Sequence, residues 1–95
     1  MQKIKNYING ELVLPYNDTY IDNYNPSTGK VYSLIPDSDQ QDVDDAVEAA
    51  KKAFPEWSAK SKEKRSELLM RISDLIIKNL DRLAEAESVD NGKPL

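Results

Sequence analysis

The chain has 95 residues, a net charge of −4, and neither cysteine nor histidine. That length makes one domain at most, and the acidic balance offers no field to attract nucleic acid. The missing residue types exclude disulfides, thiolate nucleophiles, zinc–thiolate sites and histidine acid–base chemistry within these residues.

Hydrophobic residues make up 39% of the chain and charged ones 32%. This balance suits amphipathic helices whose apolar faces meet something outside the chain. Met1-Gln2-Lys3-Ile4-Lys5-Asn6 contains no uninterrupted apolar run, and no stretch approaches membrane-spanning length. The expectation is a cytoplasmic chain with neither membrane nor nucleic acid as partner.

The first third reads as strands. Tyr7-Ile8 and Leu12-Val13-Leu14 flank Asn9-Gly10, a dipeptide suited to a tight hairpin because both residues tolerate positive φ. Pro15 closes the second run, since it cannot donate to a ladder. A second pair follows over 19–24 and 31–35, rich in Tyr and β-branched residues. Asn25-Pro26-Ser27-Thr28-Gly29 joins these strands and is, on its own terms, a well-made turn.

The remainder reads as three helices. Asp39, with Ser38 the alternative, caps the first, whose Val43, Val47, Ala50 and Phe54 share one face. Acidic residues lie near its start and Lys51 and Lys52 near its end, matching the helix dipole. Pro55 is expected to stop it, leaving Trp57 in a linker over 56–60 and pinned between helices. Ser61 caps the second helix, with Leu69, Ile72, Leu75 or Ile76, and Leu80 or Leu83 as its apolar stripe. Asn79 offers a capping side chain and a break, a third helix runs to about Asp90, and Gly92 and Pro94 stop it. The expected fold class is α+β: two hairpin-like strand pairs over 1–36, then helices over 37–95, together one incomplete domain.

The chemical motifs are sparse. Gly10, Gly29 and Gly92 are the only glycines, too scattered for a dinucleotide fingerprint or a P-loop. The acidic run Asp37, Asp39, Asp42, Asp44 and Asp45 lacks the glycine and bidentate glutamate of a calcium loop, and helix-start charge explains it. Lys60, Lys62, Lys64 and Arg65 have no interleaved aromatics and read as solvated surface. Asn17-Asp18-Thr19 fits a glycosylation acceptor, but nothing routes the chain to secretion. The serines have no histidine to activate them. No catalytic or cofactor-binding residue is assigned.

The ordered signals nevertheless resemble the amino-terminal part of the aldehyde dehydrogenase superfamily. They are Ile8-Asn9-Gly10-Glu11, Asn25 to Val31, Ile35-Pro36, Asp42-Val43-Asp44-Asp45-Ala46-Val47, Ala53-Phe54-Pro55-Glu56-Trp57, Ser61 to Arg65, and Glu87 to Leu95. Each is weak alone; in this order they are specific. The family often has Pro and Glu where this chain has Lys62 and Lys64, which weakens the start of the second helix and leaves the assignment intact. Tyr20-Ile21-Asp22, Pro26 to Tyr32 and Ala84-Glu85-Ala86-Glu87-Ser88 look more like the 2-aminomuconic semialdehyde dehydrogenase branch.

The resemblance implies the leading part of an α/β NAD(P)-binding domain. The parent enzyme would oxidise an aldehyde to a carboxylate through a cysteine thiohemiacetal and thioester, with NAD or NADP as hydride acceptor. The family's cysteine, glutamate and asparagine, and its nucleotide turn, lie downstream of the matched segment, so the 95 residues are expected to be an inactive truncation that binds no nucleotide. One site carries over. Many members bind a monovalent cation through backbone carbonyls before the Asn-Pro turn and the Asp-Asn-Gly carboxylate, here Asn23, Tyr24 and Asp90. The alternative for Asp90 is a simple helix-end carboxylate. The expected partner is the remainder of the parent enzyme, or a second copy through exposed helix faces. Two rival readings are a stand-alone α+β interaction module without activity and an acylating or phosphate-reducing relative.

Overall fold

The computed structural model describes residues 1–95. Its elements are β1 (Gln2–Lys3), β2 (Asn6–Ile8), β3 (Glu11–Val13), β4 (Tyr20–Asn25), β5 (Lys30–Pro36), α1 (Gln40–Ala59), α2 (Lys62–Lys78) and α3 (Leu80–Asn91). Asn9 and Gly10 take φ of 55° and 77°, the paired left-handed conformation that matches strand twist in a two-residue hairpin. They join β2 to β3 antiparallel, with Tyr7 opposite Leu12. Pro15 follows the hairpin and is buried.

The second sheet has the order β1-β5-β4. β4 and β5 run antiparallel from Tyr20 opposite Pro36 to Asn25 opposite Lys30. β1 was not expected from the sequence. It pairs parallel with β5, Gln2 opposite Ser33 and Lys3 opposite Leu34, and the Ile4 N–H donates to the Leu34 carbonyl at 2.8 Å. A two-residue strand is too short to show periodicity, so its partner alone reveals it. Lys3 Nζ also lies 4.7 Å from the centre of the Tyr20 ring, a cation–π contact from β1 to β4.

Helix α1 begins as expected, at Asp39. The Asp39 carboxylate accepts from the Gln41 and Asp42 N–H groups at 3.0 and 3.3 Å. Asp42 answers by accepting from the Asp39 N–H at 3.0 Å, a reciprocal capping box with aspartate in the usual glutamate position. Asp42 is only 6% exposed. Its second oxygen accepts the Tyr16 N–H at 2.9 Å, so one carboxylate ties the helix start to the loop after the hairpin. The Asn6 amide donates to Ser38 Oγ at 2.9 Å, fastening the hairpin beside the same helix start.

Two expectations fail in the helices. Pro55 does not stop α1, which runs through it to Ala59. The ring removes one bond, to the Lys51 carbonyl, and this stretch is exposed, so water can satisfy that oxygen. The last turn closes beyond the proline, with the Lys60 N–H on the Trp57 carbonyl at 3.2 Å. Trp57 is therefore a helix residue, 40% exposed, lining a hollow with Lys62, Arg65 and Leu69 of α2. Asn79 marks the break as expected, but its side chain does not cap α3. Its amide donates to the Leu75 carbonyl at 2.8 Å, so it finishes α2. Ser61 caps α2 by accepting from the Lys64 N–H at 3.1 Å.

Pro15 apart, no apolar side chain is buried. Val43, Val47 and Phe54 of α1 are exposed, and Leu69, Ile72, Leu75, Ile76, Leu80 and Leu83 are each 44–61% exposed. The radius of gyration is 16.8 Å, against about 12 Å for a compact chain of this length. No helix is long and apolar enough to cross a membrane.

Replacing Asp42 tests the junction between loop and helix. Asp42→Ala removes acceptors from two backbone N–H groups and should lower stability by about 2 kcal/mol in urea unfolding followed by circular dichroism. Asp44→Ala, on the exposed face, should change it by less than about 0.5 kcal/mol. Equal effects would show that Asp42 is not a tie between the two.

Candidate functional site at the sheet–helix junction

Beta strands alternate their side chains between two faces, so Tyr32 and Ser33 should point apart. A bulge prevents this. Asn23 pairs with Ser33 while its neighbour Tyr24 pairs with Val31, which leaves Tyr32 as the extra residue on β5. A bulge bends its strand and re-aims a side chain. Here both neighbours reach the same group, the Asn23 amide, which donates to Tyr32 Oη at 3.1 Å and Ser33 Oγ at 3.0 Å.

Asp90, from the last turn of α3, completes the cluster. Its Oδ1 accepts the Tyr32 hydroxyl at 2.7 Å and the Asn23 amide at 3.2 Å. The two amide hydrogens of Asn23 thus face three oxygens, and one must be shared. Ser33 is fully buried beneath the group. The Tyr32 hydroxyl bond, and after it the Asn23 amide, hold the Asp90 carboxyl below the usual carboxylate range. The Tyr32 phenol is raised, first by its bond to Asp90 and then by burial. These shifts agree: near neutral pH Tyr32 is the donor and Asp90 the ionised acceptor.

The same junction joins the two segments at the ends of the family-like pattern. Gly92 takes φ of 77°, and a Cβ there would lie 3.3 Å from Pro26 Cγ, so the end of α3 rests on the Asn-Pro turn. That turn is held by the Gly29 N–H on the Asn25 carbonyl at 2.8 Å and the Ser27 N–H on the Asn25 side chain at 2.9 Å. Glycine at 92 meets both demands, a left-handed cap and a close approach.

Of the three candidate residues, Asn23 and Asp90 meet through their side chains. Tyr24 lies beside Asn23 in β4, with its side chain 57% exposed. Tyr32 and Ser33 escaped sequence reasoning because the bulge that brings them together breaks the alternation such reasoning relies on. No group of three or more His, Cys, Asp or Glu side chains is placed to hold a metal ion, so the junction is no multi-carboxylate cage. Asp90 is its one carboxylate, and its Oδ2 takes no hydrogen bond from the protein. Chemically the cluster can orient that carboxylate and hold α3 to the sheet; it contains no nucleophile paired with a base.

Tyr32→Phe removes one hydroxyl and should loosen α3 from the sheet. Tryptic cleavage after Arg82 should accelerate several-fold, while Tyr24→Phe, whose hydroxyl has no partner, should leave the rate unchanged. An unaltered rate in Tyr32→Phe would deny the cluster a role in docking α3.

A family model described as the aldehyde dehydrogenase family matches residues 14–95. The 2-aminomuconic semialdehyde dehydrogenase of Mus musculus is 48% identical over 92 residues, covering 97% of this chain and 18% of its own length. The aldehyde dehydrogenase of Bartonella henselae superposes with a TM-score of 0.94 at 29% identity, over 99% of this chain and 20% of its own. For the NAD-dependent aldehyde dehydrogenase of Sinorhizobium meliloti the TM-score is 0.90 at 33% identity, over 99% of this chain and 20% of its own. The chain thus spans about a fifth of the length of the relatives it matches, with the hairpins and first helices of their fold, and it belongs to the aldehyde dehydrogenase family.

Proposed function

We propose that these residues serve as the N-terminal segment of a cytoplasmic NAD(P)-dependent aldehyde dehydrogenase that oxidises an aldehyde to a carboxylate, and that alone they turn over nothing. The observation that carries this reading is the exposure of every apolar helix stripe in a chain with a family backbone. Amphipathic helices draw most of their stability from packing that face. Faces this exposed need a partner, and the remainder of the enzyme supplies one. Arg65 adds to this: its Nε is buried without a hydrogen-bond partner, a cost that a missing acceptor would remove.

Within such an enzyme the segment supports rather than reacts. It has no cysteine and no clustered glycines, so neither nucleophile nor nucleotide cradle is drawn from it. The junction of Asn23, Tyr24 and Asp90 is the proposed place for a monovalent cation. A single carboxylate with one unengaged oxygen suits a singly charged ion better than a divalent one. The bulge at these residues also interrupts the ladder, which leaves backbone groups outside regular pairing.

Two measurements bear on the reading. The purified chain, mixed with aldehyde and NAD or NADP, should produce no reduced nicotinamide, and real turnover would overturn the proposal. In sedimentation it should self-associate, and it should bind a dye that reports exposed apolar surface. A tight monomer that binds no dye would instead favour an independent interaction module.

A further inference from the structure

The chain contains seven asparagines, and two of them, Asn9 and Asn91, precede glycine. Asparagine before glycine is prone to a spontaneous change, because the following nitrogen is unhindered and can attack the side-chain amide carbon. The structure treats the two sites differently. Asn91 is held at both ends: its amide donates to Glu87 and its oxygen accepts the Lys93 N–H at 2.8 Å. The nitrogen that would attack it, that of Gly92, donates to the Ser88 carbonyl at 2.9 Å. Three hydrogen bonds and the last turn of α3 must open before that reaction starts.

Asn9 has none of this protection. Asn6, Asn17, Asn23, Asn25, Asn79 and Asn91 all hydrogen-bond through their side chains, and Asn9 alone does not. The Gly10 N–H has no backbone acceptor, and nothing lies within 4 Å of the place a Gly10 Cβ would occupy. The turn joins two strands of three residues each, and so short a ribbon opens at little cost.

We propose that Asn9 is a site of spontaneous deamidation and backbone isomerisation, and that the same dipeptide beside Asp90 is shielded from it. The Gly10 nitrogen bonds to the Asn9 side-chain carbon, and the bond from that carbon to Nδ2 breaks. Nδ2 leaves as ammonia with the proton Gly10 gives up, forming a five-membered imide. Water then opens the imide at either carbonyl, giving aspartate or isoaspartate. Either product makes the net charge of −4 one unit more negative. Isoaspartate also lengthens the main chain inside the two-residue turn that sets the register of β2 on β3, and so loosens the hairpin from Ser38.

The test is ageing of the purified chain in mildly alkaline buffer, with peptide mapping by mass spectrometry and labelling by an isoaspartate-specific methyltransferase. Conversion at Asn9 should run on the order of a hundredfold faster than at Asn91, the factor expected when three hydrogen bonds of about 1 kcal/mol each must break at the second site. In concentrated urea the two rates should converge. Glu87→Ala should raise the rate at Asn91 and leave Asn9 unchanged. Equal rates in native buffer, or a faster Asn91, would overturn the proposal, as would a difference that survives in urea.

Discussion

What shapes this structure most is that, Pro15 apart, no apolar side chain is buried. Removal of apolar surface from water is the main favourable term in folding, and a single hydrogen bond contributes only about 1 kcal/mol net. In this chain the geometry is therefore set by backbone ladders and a few polar ties, each bridging elements distant in sequence. Asp42 joins the loop at Tyr16 to the start of α1. Asp90 joins the end of α3 to Tyr32 and Asn23 in the sheet. Between them the helices present their apolar stripes outward, and the 16.8 Å radius of gyration reflects this open arrangement.

This division explains what the sequence could reveal. Local signals worked where the physics is local. Asn9-Gly10 specified a left-handed turn, Asp39 a cap, and Asn25 to Gly29 a strand connection, since each depends on residues adjacent in the chain. Failures came where a distant partner or solvent decides. β1 exists only because β5 offers it an edge. Pro55 breaks a helix when the freed carbonyl is left without a partner, but here the turn is exposed and the helix continues. Asn79 was recognised as a boundary, yet its amide turned back to Leu75 and closed the preceding helix.

The candidate site was half legible. Asn23 and Asp90 were picked out through family resemblance, as a backbone carbonyl and a carboxylate, and not for the side-chain contact they make. Tyr32 and Ser33 were not, because a one-residue bulge leaves no mark on hydrophobic periodicity. The ordered motifs identified the lineage without showing that their two ends touch. The close approach of Gly92 to Pro26, where an added Cβ would crowd the ring, explains why the segments at 25–30 and 90–95 belong together: the helix cap and the turn it rests on form one joint.

The helices lack a core of their own, while the sheet is held internally. Amide hydrogen exchange across the isolated chain tests it most directly. Exchange should be slowest in β5, at the centre of its sheet around the fully buried Ser33, and much faster along α2, whose stripe has no partner. Amides of α2 exchanging as slowly as those of β5 would contradict it, because protection of that kind requires a packed face.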